Sequence, residues 1–134
     1  AISPERIEKL DSLLEVHNQN LIHPFLRISI EKESLFFDAR ASLLLTLINE
    51  THSVKGACRY MAISNGKAWM ILNNLEKSLG YAVVERKQGG KQGGKTYLTE
   101  EGKIFLEKYR KFEEQVKQYA RKSFFEIFDE YKGQ

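Results

Sequence analysis

Two serines, Ser53 and Ser64, each open a short helical pattern, and only Ala62-Ile63 stands between the end of the first pattern and the start of the second. That spacing restricts the fold more than any other feature of the chain. The first segment, Ser53 to Met61, makes about two turns at ~3.6 residues per turn, with Ser53 placed to cap it. The second, Ser64 to Leu79, is again capped by a serine and is closed by Gly80, a residue suited to a helix C-terminus. Its apolar residues Ala68, Leu72, Leu75 and Leu79 recur at spacings of four, three and four, so one face packs inward. Asn65, Lys67, Met70, Asn73, Asn74 and Lys77 are left largely outside. Two strand-like runs follow, Ala82 to Arg86 and Thr96 to Leu98, joined by a loop from Lys87 to Lys95 in which four of nine residues are glycine. Such a loop is flexible or sharply bent.

The flanking segments complete the plan. Residues 4 to 18 read as an amphipathic helix with Pro4 in its first turn and Ile7, Leu10, Leu13 and Leu14 on one stripe. After His23-Pro24, the alternation from Leu26 to Ile30 predicts a strand, Glu31 to Ser34 a turn, and Leu35 to Phe37 a return strand. Asp38 is placed to cap a helix from Ala39 to about Glu50, whose Leu43, Leu44, Leu47 and Ile48 would pack beneath the two short helices. Thr99 is placed to cap a long helix from Glu100 to about Tyr131. The sum is a mainly α chain with a small β wing, a winged helix-turn-helix with a long C-terminal dimerisation helix. Residues 1–22 form a helical extension, 23–99 the winged helix-turn-helix and 100–134 the dimerisation helix. Phe105, Tyr109, Phe112, Val116 and Tyr119 recur along the last at four, three, four and three, a heptad-like seam. A helix of roughly 30 residues, about 45 Å at 1.5 Å per residue, outruns so small a domain. The seam therefore suits a partner helix from a second subunit, and packing on its own domain is the alternative.

Charge separates the regions. Residues 51 to 110 carry eleven Lys/Arg against five Asp/Glu, whereas residues 1 to 50 carry five against eight. A local basic excess is the footprint of a nucleic-acid surface, although a charge run can also be only a solvated face. Hydrophobic content of 42% and charged content of 29% suit a soluble globular protein, and no apolar run approaches the ~18 residues of a membrane span. The start, Ala1 to Arg6, lacks the pattern of a secretory signal, so the cytoplasm is the expected compartment. Cys58 is the only cysteine, which excludes an internal disulfide and a cysteine-based zinc cage, and its place inside a helix suits a small buried hydrophobe. His17, His23 and His52 show no metal-ligand spacing, and no catalytic constellation is recognisable. No metal, cofactor or catalysis is expected.

A helix shaped like Ser64 to Leu79 can lie in a DNA major groove and offer amides and an ammonium to base edges. The candidate contacts to double-stranded DNA are Ser64, Asn65, Lys67, Asn73 and Asn74 from the helix, with Arg86, Lys87, Lys91 and Lys95 from the wing. Arg86 suits either a phosphate or a carboxylate that pins the strand. Trp69 is expected between this helix and the wing or first strand, with base stacking as the alternative. Gly89 to Thr96 also fits the phosphate-binding pattern G-x-x-x-x-G-K-[ST]. In a true P-loop the Lys and Thr open a helix inside a βαβ unit, whereas here Lys95-Thr96 run into a strand. Nucleotide binding and a protein-interaction module are the alternatives to DNA binding.

The stretch from about Leu26 to Tyr119 resembles the N-terminal DNA-binding domain of the molybdate-responsive ModE regulators, and more remotely the winged-helix head of LysR-type regulators. The matching residues are Ser64 with Ala68-Trp69, Val84-Glu85-Arg86, Gly89-Gly90-Lys91 with Gly93-Gly94, and Leu98-Thr99 with Gly102. The resemblance implies a transcriptional regulator whose winged helix binds operator DNA as a dimer through a long helix, with Lys91 and its neighbours in the wing. Ala62 stands where such turns usually carry glycine. Asn65-Gly66-Lys67 differs from the tyrosine-lysine-serine type of sequence in that family, so the operator is not carried over. Molybdate-sensing members carry C-terminal β-barrel domains for which this sequence leaves no room, and molybdate sensing is not expected to come with the fold.

Overall fold

The computed structural model describes residues 21–88 and 94–133. The expected helix over residues 4 to 18 and the wing-tip Lys91 lie outside the described residues.

The core is organised around α1 (Ala39–Thr51), capped by the Asp38 carboxylate, which accepts from the Ala41 N–H at 3.0 Å. Leu44, Leu47 and Ile48 are fully buried, as the sequence pattern requires, and Leu43 is half-buried. Leu45 and Thr46, outside that pattern, are buried too, so α1 is a central helix covered on nearly every side and not a support with one apolar stripe.

Ahead of it, β1 (Ile30–Glu31) pairs antiparallel with β2 (Leu35–Phe37), Ile30 facing Phe37 and Glu31 facing Leu35. The strand expected from Leu26 to Ile30 is corrected to two residues. Its partner explains why: β2 ends at Phe37 because Asp38 turns away to cap α1, and the Ile28 carbonyl accepts instead from the Tyr109 hydroxyl at 2.7 Å.

The two short helices take the expected bounds. In α2 (Val54–Met61), the Ser53 hydroxyl accepts from Gly56 N–H at 2.8 Å; in α3 (Asn65–Leu79), the Ser64 hydroxyl accepts from Lys67 N–H at 3.0 Å. The turn between them holds Ala62 in the left-handed region at φ 56, where glycine would be unstrained. The departure in sequence therefore leaves the turn geometry intact at a local cost. Ala68, Leu72 and Leu75 are buried against the core, with Leu79 half-buried.

The wing is β3 (Val84–Lys87) antiparallel to β4 (Lys95–Leu98), with Val84 facing Leu98 and Lys87 facing Lys95. β3 starts two residues later than the alternation suggests. The backbone before it is committed elsewhere: the Glu76 carboxylate accepts from Val83 and Val84 N–H at 2.7 and 3.3 Å, and the Ala82 carbonyl accepts from the Thr99 hydroxyl at 2.8 Å. Thr99 also caps α4 (Glu100–Ile127), accepting from Gly102 N–H at 2.9 Å. A Cβ on Gly102 would lie 2.3 Å from the Val83 carbonyl oxygen, so the close approach of α4 to the wing requires glycine there. The expected helix to Tyr131 stops at Ile127; a 3-10 turn, Asp129–Tyr131, follows and keeps the Phe128 and Tyr131 rings stacked with Phe124.

Two members of the expected dimer seam pack on their own domain. Phe105 and Tyr109 set their rings edge-on to Phe37 at 4.9 and 4.7 Å, and Tyr109 is only 2% exposed. Tyr109 is a core residue of its own domain and Phe105 packs half-buried against that core, because the first turns of α4 lie on Phe37 and α1. Burial and the nearby Glu113 carboxylate raise the Tyr109 pKa, and the hydroxyl stays protonated to donate to Ile28.

Candidate nucleic-acid interface

α3 is inserted between the core and open solvent with a polar face uncovered. Ser64, Asn65, Asn73, Asn74 and Lys77 are exposed, Lys67 is half-buried, and Met70 is exposed at the centre of the same face. Ser64 has a local duty already, since its hydroxyl oxygen caps α3. At the N-terminal end of α3 the wing folds alongside. Alternation along β3 sends neighbouring side chains to opposite faces of the wing, and both faces carry cations. The Arg86 guanidinium lies over the Trp69 ring at 4.4 Å, while the Lys87 ammonium lies over the Tyr97 ring at 4.9 Å. Arg86 is thus positioned by stacking on the aromatic face while its side chain stays exposed. Trp69 packs between α3 and the wing as expected.

Between these elements opens a cleft of about 440 Å³, lined by Ser53 and Lys55 of α2, Asn65 and Trp69 of α3, and Arg86, Lys87 and Lys95 of the wing. Four cations and the N-terminus of α2 therefore converge on one opening, an arrangement that attracts phosphate oxygens. The wing is held against this opening by its hydrogen bond from Thr96 N–H to the His52 carbonyl, 3.0 Å, and by Tyr97 packed 4.2 Å from the His52 ring. His52 itself sits in the left-handed region at φ 57, where it ends α1. Lys87 reaches the Glu85 carboxylate only at 4.0 Å in an exposed pair, too weak to hold it from an anion.

Sequence reasoning missed Lys55 and Glu76. Lys55 is legible in retrospect as a cation in the first turn after a serine cap, next to the positive end of a helix dipole. Glu76 gives no such signal, since its backbone partners lie seven and eight residues on. Lys95 and Thr96, which complete the P-loop pattern, are the first residues of β4 and face Lys87 and Arg86. The next helix starts only at Glu100, so no helix N-terminus follows the lysine and threonine. Of the remaining seam residues, Phe112 is 51% and Tyr119 73% exposed, and Val116 is half-buried. No helix among the described residues is long and apolar enough to cross a membrane.

Two capped helices at a tight turn, a third helix beneath them and a basic hairpin beside the second define a winged helix-turn-helix domain. No protein-family model matches the chain. Over 78 residues, 58% of its length, it is 33% identical to the transcriptional regulator ModE of Yersinia pestis. It is 32% identical over 78 residues to the DNA-binding transcriptional dual regulator ModE of Escherichia coli K12. The aligned part spans about 30% of the length of these relatives. A variant of ZitR from Lactococcus lactis is a looser structural likeness, with a TM-score of 0.49 at 13% identity over 94% of this chain and 82% of that one.

Proposed function

We propose that this chain is a sequence-specific regulator of transcription that binds duplex DNA, with α3 in the major groove and the wing against phosphates or the adjacent minor groove. The observation that carries this reading is the placement of Lys55, Arg86, Lys87 and Lys95 around the end of α3 whose polar face is uncovered. Backbone affinity and base readout then come from adjacent parts of one surface. The similarity to ModE regulators supports the same reading. No chemistry is assigned to the site; it binds.

The protein acts as a homodimer through the part of α4 beyond its own core. Phe112, Val116 and Tyr119 lie on one stripe of that part, and two of the three are more than half exposed. The test of DNA binding is selection from a random duplex pool. Enrichment of a common, two-fold related sequence is expected, and a pool that stays random after repeated rounds would overturn the proposal.

A further inference from the structure

Among the described residues of α3, Met70 alone of the large apolar side chains is exposed, at 47%. It occupies the centre of the uncovered face, with Gly66 one turn before it and Asn73, Asn74 and Lys77 after it. A helical side chain leans toward the helix N-terminus and covers the turn preceding its own Cα. At Gly66, one turn before Met70, a Cβ would meet nothing closer than the Ser64 hydroxyl at 4.0 Å, so the surface there is open. The result is an exposed, flexible thioether next to a bare stretch of helix surface, in the half of α3 that would enter a groove first. Cations and amides surround it, so the matching surface is anionic and polar with a small apolar feature at its centre. In a DNA major groove that feature is the C5 methyl of thymine, which no other base carries.

We infer that Met70 is a specificity-determining residue that reads a thymine methyl group, with the missing side chain at Gly66 allowing the base edge to come close. This rests on the DNA-binding reading, and the experiment separates the two. A duplex enriched from a random pool is resynthesised with each thymine near the centre of the half-site replaced in turn by deoxyuridine, which removes only the methyl. Binding of the wild-type chain and of Met70→Ala is followed by fluorescence anisotropy at one salt concentration. At one thymine position, replacement in a single half-site should weaken the wild type by about fourfold, the equivalent of leaving one methyl-sized group unburied. The same replacement should leave Met70→Ala unaffected, since that variant has no thioether to touch the methyl. Gly66→Val, which fills the open surface one turn before Met70, should weaken the parent duplex and blunt the deoxyuridine effect. The inference is overturned if every deoxyuridine duplex binds the wild type as tightly as the parent, or if the weakening persists in Met70→Ala. Failure to enrich any duplex would instead overturn the DNA-binding reading. Unchanged thermal unfolding of Met70→Ala, expected for an exposed side chain, excludes misfolding as the cause.

Discussion

Single residues set the approach of the wing to the rest of the domain. Gly102 meets the Val83 carbonyl oxygen so closely that a methyl group there would lie at 2.3 Å, and both sides of that approach are backbone. Gly102→Ala should therefore destabilise the chain by about 3 kcal/mol in denaturant unfolding, the upper range for an overpacked site; a decrease within ~0.5 kcal/mol would contradict the tight packing. Ala62 shows the reverse case. Its φ of 56 is strained for an L-residue with a side chain, and Ala62→Gly should raise stability by ~0.5 to 1 kcal/mol after the added freedom of the unfolded chain is subtracted. An unchanged or lowered midpoint would mean that the turn carries no strain. Residue-level features that act locally were legible in the sequence: Ser53, Ser64 and Thr99 each cap the helix they precede. Glu76 was not, because its bonds to Val83 and Val84 form only after α3 ends and the chain reverses at Gly80.

At the level of elements, the proposed function gives α3 and the wing different kinds of binding free energy, and variants can tell them apart. Lys95→Ala or Lys87→Ala removes a wing cation and should weaken all duplexes about equally. The slope of log affinity against log salt should flatten by ~1 per subunit for each phosphate that is no longer neutralised. Asn73→Ala should cost ~1 to 3 kcal/mol on the selected duplex and almost nothing on random DNA, because an amide reads an adenine edge. The assignment fails if Asn73→Ala leaves the ratio of selected to random affinity unchanged while a wing variant alters it. The four described helices were read from the sequence to within a few residues, since caps and apolar periodicity are local. The strands were less legible: the run from Leu26 alternates for five residues, but a strand extends only as far as its partner, and β2 ends at Phe37. The cleft joining α2, α3 and the wing was legible only in part. Its wing cations follow from composition, whereas Lys55 enters it through the packing of α2.

For the whole molecule, the decisive ambiguity lay in α4. A four-three repeat marks one face of a helix without saying what covers it, and the five seam residues divide between two surroundings. Phe105 and Tyr109 complete the core around Phe37, and Phe112, Val116 and Tyr119 continue the stripe beyond it. α4 is 28 residues long, about 42 Å at 1.5 Å per residue, so much of it extends past Phe37. Changing Phe112 and Val116 together to Glu should give monomers by sedimentation that keep the helical circular-dichroism signal of the wild type. A wild-type chain that is monomeric at micromolar concentration would contradict the dimer. Weakened dimerisation should lower affinity for a two-fold duplex far more than for a single half-site, because the second half-site is then no longer bound by a tethered subunit. The central claim, that one surface combines phosphate attraction with base readout, is tested most directly by titrating the wild-type chain with the selected duplex and with a random duplex across a range of salt concentrations. The account predicts that both affinities fall steeply, by ~0.9 in log-log slope per neutralised phosphate, with the selected duplex tighter at every salt concentration. Affinities that are indifferent to salt, or equal for the two duplexes throughout, would contradict it.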